Sequence, residues 1–130
     1  ELPSKLDDKQ KDTLKGIVER NIEKEKFTVV MENLGEEDLP VIITRPEYMR
    51  RMKDMSALGG SGFGFGDLPD QMNLVINVNN PVMTKILDEG QKDMQDQFVK
   101  QLYDLALLSQ NLLKGKSLSE FINRSIKIIE

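Results

Sequence analysis

Leu14, Ile17, Val18 and Ile22 recur at helical spacing, which predicts an amphipathic first helix. Ser4 is the expected cap, with Asp7 and Asp8 placing acid at the positive end of the helix dipole. After a charged exit at Lys24-Glu25-Lys26 the period shortens to two. Phe27 to Glu32 is β-branched and aromatic, and Val41-Ile42-Ile43-Thr44 follows a proline. The two runs are expected to pair antiparallel across the charged connection Gly35 to Pro40. A third strand, Met72 to Asn79, alternates most clearly. Leu74, Ile76 and Val78 fall on one face and Asn73, Asn77 and Asn79 on the other, so one side is expected to pack and the other to be wet.

A short helix between the second and third strands is predicted from Thr44-x-x-Glu47 and Pro46. It leads into the run Gly59-Gly60-Ser61-Gly62-Phe63-Gly64-Phe65-Gly66, whose backbone entropy opposes regular structure, so a loop is expected. Helices fill the rest. Asn80 caps one that starts at Pro81 and turns Val82, Met83, Ile86 and Leu87 inward. A longer one runs from about Gln91 to Leu113, and Ser117-x-x-Glu120 is expected to box the start of the last. The fold class is therefore α/β (α+β), with a small sheet and a C-terminal helical hairpin. The chain reads as a single domain (1–130), divided into an α/β part (1–90) and a helical part (91–130).

Within that hairpin the apolar positions exceed one stripe. Leu105-Ala106-Leu107-Leu108 is apolar nearly all the way round its helix, and Phe121, Ile122, Ile126 and Ile129 add a wide second surface. Either these helices are sandwiched inside a monomer, or the hairpin pairs with its own copy as a four-helix bundle. For pairing, the surface consists of Leu102, Leu105, Ala106, Leu108, Leu112, Phe121, Ile122, Ile126 and Ile129. Six side chains of this kind per subunit supply roughly 1.5–3 kcal/mol each when buried. Doubled by symmetry, that exceeds the ~4–15 kcal/mol cost of association.

Composition removes several alternatives. The 130 residues contain no His, Cys or Trp, so a Ser-His-Asp relay, a thiolate nucleophile, a His/Cys metal site and a disulfide are all excluded. Eighteen basic against 22 acidic side chains leave a net charge of −4, which argues against a nucleic-acid partner. No apolar run reaches the length of a membrane span, and a cysteine-free chain fits a reducing, cytoplasmic setting. Without an initiator Met, the chain is expected to be a piece of a longer protein. Glu36-Glu37-Asp38 and Asp88-Glu89 lack calcium-loop spacing and read as solvated charge. The glycine run, weighed as a phosphate loop of a small nucleotide-binding enzyme, is followed by Asp67-Leu68-Pro69-Asp70, which is acidic and helix-breaking. No catalytic, cofactor-binding or metal-binding residue is therefore assigned. Met49, Met52 and Met55 lie within about 120° of one helix face and either fill the core or offer an adaptable apolar surface.

Three segments carry a family resemblance. Thr44-Arg45-Pro46-Glu47-Tyr48-Met49-Arg50-Arg51-Met52, Leu74-Val75-Ile76-Asn77-Val78-Asn79-Asn80-Pro81-Val82 and Leu102-Tyr103-Asp104-Leu105-Ala106-Leu107-Leu108, with Phe121-Ile122-Asn123-Arg124 after them, resemble the C-terminal domain of the HtpG family of bacterial heat-shock chaperones. The resemblance implies a mainly three-stranded sheet and an intermolecular four-helix bundle. It also implies a homodimerisation module whose parent uses ATP and Mg through domains outside this chain, so that this part is not itself an enzyme. Clients, meaning unfolded or partly folded proteins, would then be contacted by the helix bearing Tyr48, Met49, Met52, Met55 and Leu58. Phe63 and Phe65 of the glycine run, which departs from the family pattern, are added to that surface. The alternative is a monomeric interaction domain.

Overall fold

The computed structural model describes residues 2–45 and 71–130. In chain order these form α1 (Asp8–Glu19), β1 (Phe27–Glu32), β2 (Val41–Thr44), β3 (Met72–Asn77), α2 (Pro81–Asp88), α3 (Lys92–Ser109) and α4 (Gly115–Ile129). The result is an α+β fold built on a three-stranded mixed sheet. Among the described residues no helix is long and apolar enough to cross a membrane.

The strand order is β1-β3-β2. The expected β1–β2 hairpin does not form, because β3 lies between them, parallel to β1 and antiparallel to β2. The register sets Val29, Leu74 and Ile43 side by side, and Val30, Val75 and Ile42 one residue on. As the central and most buried strand, β3 gains ladder partners on both edges, a position that a two-strand hairpin would have denied it. The core lies between one sheet face and the helices. Leu14, Ile17 and Val18 of α1, Met83 and Ile86 of α2, and Val99 and Ala106 of α3 enclose Phe27, Val29, Leu74, Ile76 and Ile43. Of the inward positions read for α1 and α2, these five are buried, while Ile22, Val82 and Leu87 pack half-buried against the core.

Two helix starts differ from expectation. Asp7, not Ser4, caps α1: its carboxylate accepts the Gln10 N–H at 2.7 Å, and the Gln10 side chain accepts the Asp7 N–H at 3.0 Å. Asp and Gln at that spacing satisfy two orphan donors reciprocally, whereas the Ser4 hydroxyl bonds the Leu6 carbonyl at 2.7 Å. Helix α4 starts at Gly115, without a side-chain cap, rather than at a box formed by Ser117 and Glu120. There Gly115 takes φ 62°, a left-handed conformation that glycine adopts without a steric cost. Asn80 does cap α2, accepting the Val82 N–H at 2.9 Å ahead of Pro81.

The second face of β3 is not wet either. Val75, Asn77 and Asn79 are buried alongside the apolar series. Val75 is flanked on both sides by Val30 and Ile42, and the β1–β2 connection closes over Asn77. The Asn77 amide donates to the carbonyls of Gly35 (2.8 Å) and Asp38 (3.3 Å), and its oxygen accepts from the N–H of Leu34 (3.2 Å). Short polar side chains in an alternating strand here serve as internal ties.

Candidate dimerisation face

Helix α3 spans eighteen residues and packs on α1, α2 and β2 through its inner side, leaving α4 to pack mainly on α3. Between them, Asn111 takes φ 59° and Leu113 is buried, which reverses the chain within a few residues. The two helices therefore form the hairpin read from the sequence.

The nine side chains expected to meet a partner divide into two groups. Leu105, Leu108 and Leu112 are exposed to 46%, 41% and 38%, and Ile122, Ile126 and Ile129 to 48%, 51% and 85%. Leu105 and Leu108 share one side of α3 at i, i+3, Ile122, Ile126 and Ile129 form one stripe of α4 at i, i+4, i+7, and Leu112 lies in the connection just after α3. Ala106 and Phe121 are instead buried within the protomer, and Leu102 packs half-buried on the core. These three hold the hairpin onto its own subunit, while the other six face outward.

Beside the stripe, Leu39, Pro40 and Val41 form a groove of about 260 Å³ with Leu102, Leu105, Ala106 and Ser109. Leu39 is itself two-thirds exposed, so the apolar surface continues from α3 onto the β1–β2 connection. Contiguous apolar surface of this kind marks an interaction site more often than isolated exposed residues do.

A polar cluster ties α4 to α3 next to the stripe. The Arg124 guanidinium donates through Nε to Gln101 at 2.8 Å and forms an ion pair with Asp104. The Gln101 amide donates to the Ser125 hydroxyl at 2.8 Å, which donates to the Phe121 carbonyl at 2.8 Å. Burial pushes the Asp104 carboxyl above its ordinary range, although the Arg124 charge pulls the other way. Neighbouring Tyr103 sets its ring edge-on against Phe27, with centroids 5.6 Å apart, and burial pushes its hydroxyl up to about 12. Sequence reading missed Gln101, Asp104, Arg124 and Ser125. Asp104 carried a signal, as the one charge within the run Leu102 to Leu108, whereas Arg124, between Asn123 and Ser125, carried none.

Among the described residues no group of three or more acidic side chains is arranged to hold a metal ion. Tyr48, Met49, Met52, Met55, Leu58, Phe63 and Phe65, expected to touch clients, lie outside the described residues, as does the whole glycine run.

Comparison with known proteins bears on which family carries this hairpin. No family model matches the chain. A chaperone protein HtpG of Bacteroides fragilis is 30% identical across 83% of the chain and 25% of its own length. The HtpG of Bacteroides thetaiotaomicron is 27% identical across 95% of the chain and 29% of its own length. That of Porphyromonas gingivalis is 30% identical across 96% and 28%. The chain is a homologue of part of the HtpG chaperones. It spans between a quarter and a third of the length of these HtpG relatives. The resemblance read from the three sequence segments is thereby supported independently of the fold.

Proposed function

We propose that this chain is the homodimerisation module of an ATP-dependent chaperone that assists protein folding. One observation carries the reading. Leu105 and Leu108 on α3 and Leu112 just beyond it, with Ile122, Ile126 and Ile129 on α4, form adjacent apolar surfaces that their own protomer leaves substantially exposed. Two antiparallel helices each bearing such a stripe are the half of a four-helix bundle that a two-fold axis completes. An isologous contact suits them because each stripe meets apolar surface of its own kind.

In this reading the chain does no chemistry of its own. ATP and Mg would be handled elsewhere in the longer HtpG-like protein, which would work in the cytoplasm. Unfolded or partly folded clients would be met on the segment holding Tyr48, Met49, Met52, Met55 and Leu58, extended by Phe63 and Phe65.

Sedimentation equilibrium of the chain at micromolar concentrations tests the dimer. The expected species has twice the 14.8 kDa chain mass. A single 14.8 kDa species throughout that range would instead favour a monomeric interaction domain. Calorimetric titration with ATP is expected to give no heat of binding.

A further inference from the structure

We infer that Gln101, Asp104, Arg124 and Ser125 are positioning residues that fix the rotation of α4 and so select one mode of self-association; this rests on the dimer reading above. Apolar stripes are non-directional. Ile122, Ile126 and Ile129 would gain similar burial after α4 had turned or slid along α3, so apolar area alone leaves several pairings close in energy.

The polar cluster has no such tolerance. Gln101 is bonded from both ends of its amide, its oxygen accepting from Arg124 and its nitrogen donating to Ser125, each at 2.8 Å. Arg124 also reaches Asp104, so its planar fork spans two residues one turn apart on α3. Rotating or translating α4 would break all three contacts together. The guanidinium and carboxylate, only 16% and 14% exposed, would then lose their partners in a largely dry place.

Burial holds Asp104 above its ordinary carboxylate range even with Arg124 beside it, so desolvation outweighs the attraction. A half-dry pair that admits one geometry acts as an orientation determinant. It adjoins the exposed stripes, since Asp104 precedes Leu105 and Arg124 lies between Ile122 and Ile126.

The test compares melting temperature with self-association by sedimentation. In the double variant Asp104→Leu/Arg124→Leu, the expected melting temperature equals or exceeds that of the unaltered chain. Its dimer is expected to weaken by about tenfold or more, or to give way to mixed oligomers. Charge exchange, Asp104→Arg with Arg124→Asp, is expected to restore pairing to within roughly threefold of the original, whereas either exchange alone weakens it by about tenfold. Should the double-leucine variant not fold, the exchange series decides alone: rescue supports the inference and its absence overturns it. Unchanged, strictly dimeric association in the double-leucine variant also overturns it. A monomeric unaltered chain would remove the dimer reading itself, and the inference with it, whereas intact dimers with unaffected variants would remove only the orienting role.

Discussion

The side-chain oxygen of Asn77 accepts the backbone N–H of Asn79 at 3.1 Å, and both asparagines are buried. From that link the two amides diverge. Asn77 holds the β1–β2 connection through Leu34, Gly35 and Asp38. Asn79 reaches the N-terminal segment, donating to the carbonyls of Pro3 (3.0 Å) and Leu34 (2.8 Å) and accepting from the Lys5 N–H (2.8 Å). Backbone from three parts of the chain is thus satisfied by two side chains at the end of β3.

Asn77→Ala is therefore expected to lower stability well beyond an ordinary surface change. It strands the N–H groups of Leu34 and Asn79 and the carbonyl of Gly35, at about 1–3 kcal/mol for each polar group left unpaired and dry. With partial rescue by water, a net loss of about 3 kcal/mol is expected, or roughly 10–15 °C in melting temperature. Thermal unfolding followed by circular dichroism measures it, and a shift of a degree or two would show that the amide is replaceable.

Asp96 joins α1 to α3. Its carboxylate accepts from Arg20 Nε at 2.7 Å and from the Asn21 amide at 2.9 Å. Those bonds, the Asn21 one foremost, hold it below its ordinary range. A carboxyl with a depressed folded value contributes stability above its unfolded value of 3.8 and loses it as the pH falls through the folded one. Asp96→Ala should accordingly cost roughly 0.5–1 kcal/mol at neutral pH, the scale of a partly exposed pair. Urea denaturation at neutral and strongly acid pH should show that cost vanishing in acid.

What could be read from the sequence followed from periodicity and caps. Leu14, Ile17 and Val18 announced the inner face of α1, and Asn80-Pro81 announced the start of α2, because both signals are local. Strand order was not local. Nothing in Phe27–Glu32 or Val41–Thr44 records that β3 will come between them, since pairing depends on which strand most needs two covered edges. Asn77 and Asn79 were misjudged for a related reason: an amide is polar to any pattern count, and its burial depends on backbone arriving from elsewhere. On the candidate face, spacing identified the surplus of apolar surface but not its division. Ala106 and Phe121 serve their own protomer, while Leu105 and Ile122 do not.

Alkaline pH should unfold the protein through Tyr103. Burial raises its hydroxyl from 10.0 to about 12, because the phenolate is less well solvated in the fold than in the open chain. An acid raised in this way contributes stability in full below the unfolded value, and that contribution drains away as the pH rises from 10 toward 12. Tyr103→Phe keeps a ring edge against Phe27 and should flatten the alkaline fall in melting temperature. An equally steep fall in the variant would place the titrating group elsewhere.

The pairing face separates from the core by paired substitution. Leu105→Glu or Ile122→Glu places a carboxylate at a site about half open to water in the single protomer, so the monomer's stability should change by no more than about 0.5 kcal/mol. In a two-fold bundle the same change enters twice and leaves two unpaired charges in apolar surroundings, at several kcal/mol. Dissociation should strengthen by about a hundredfold or more, read by sedimentation velocity across a dilution series. Leu14→Ala gives the opposite signature. Its side chain is fully buried in α1 against the sheet, so about 3 kcal/mol of stability should disappear while the folded chains that remain associate as before. If the glutamate variants lowered the melting temperature as Leu14→Ala does and left association unchanged, the outer stripes of α3 and α4 would be supporting their own protomer rather than meeting a second one.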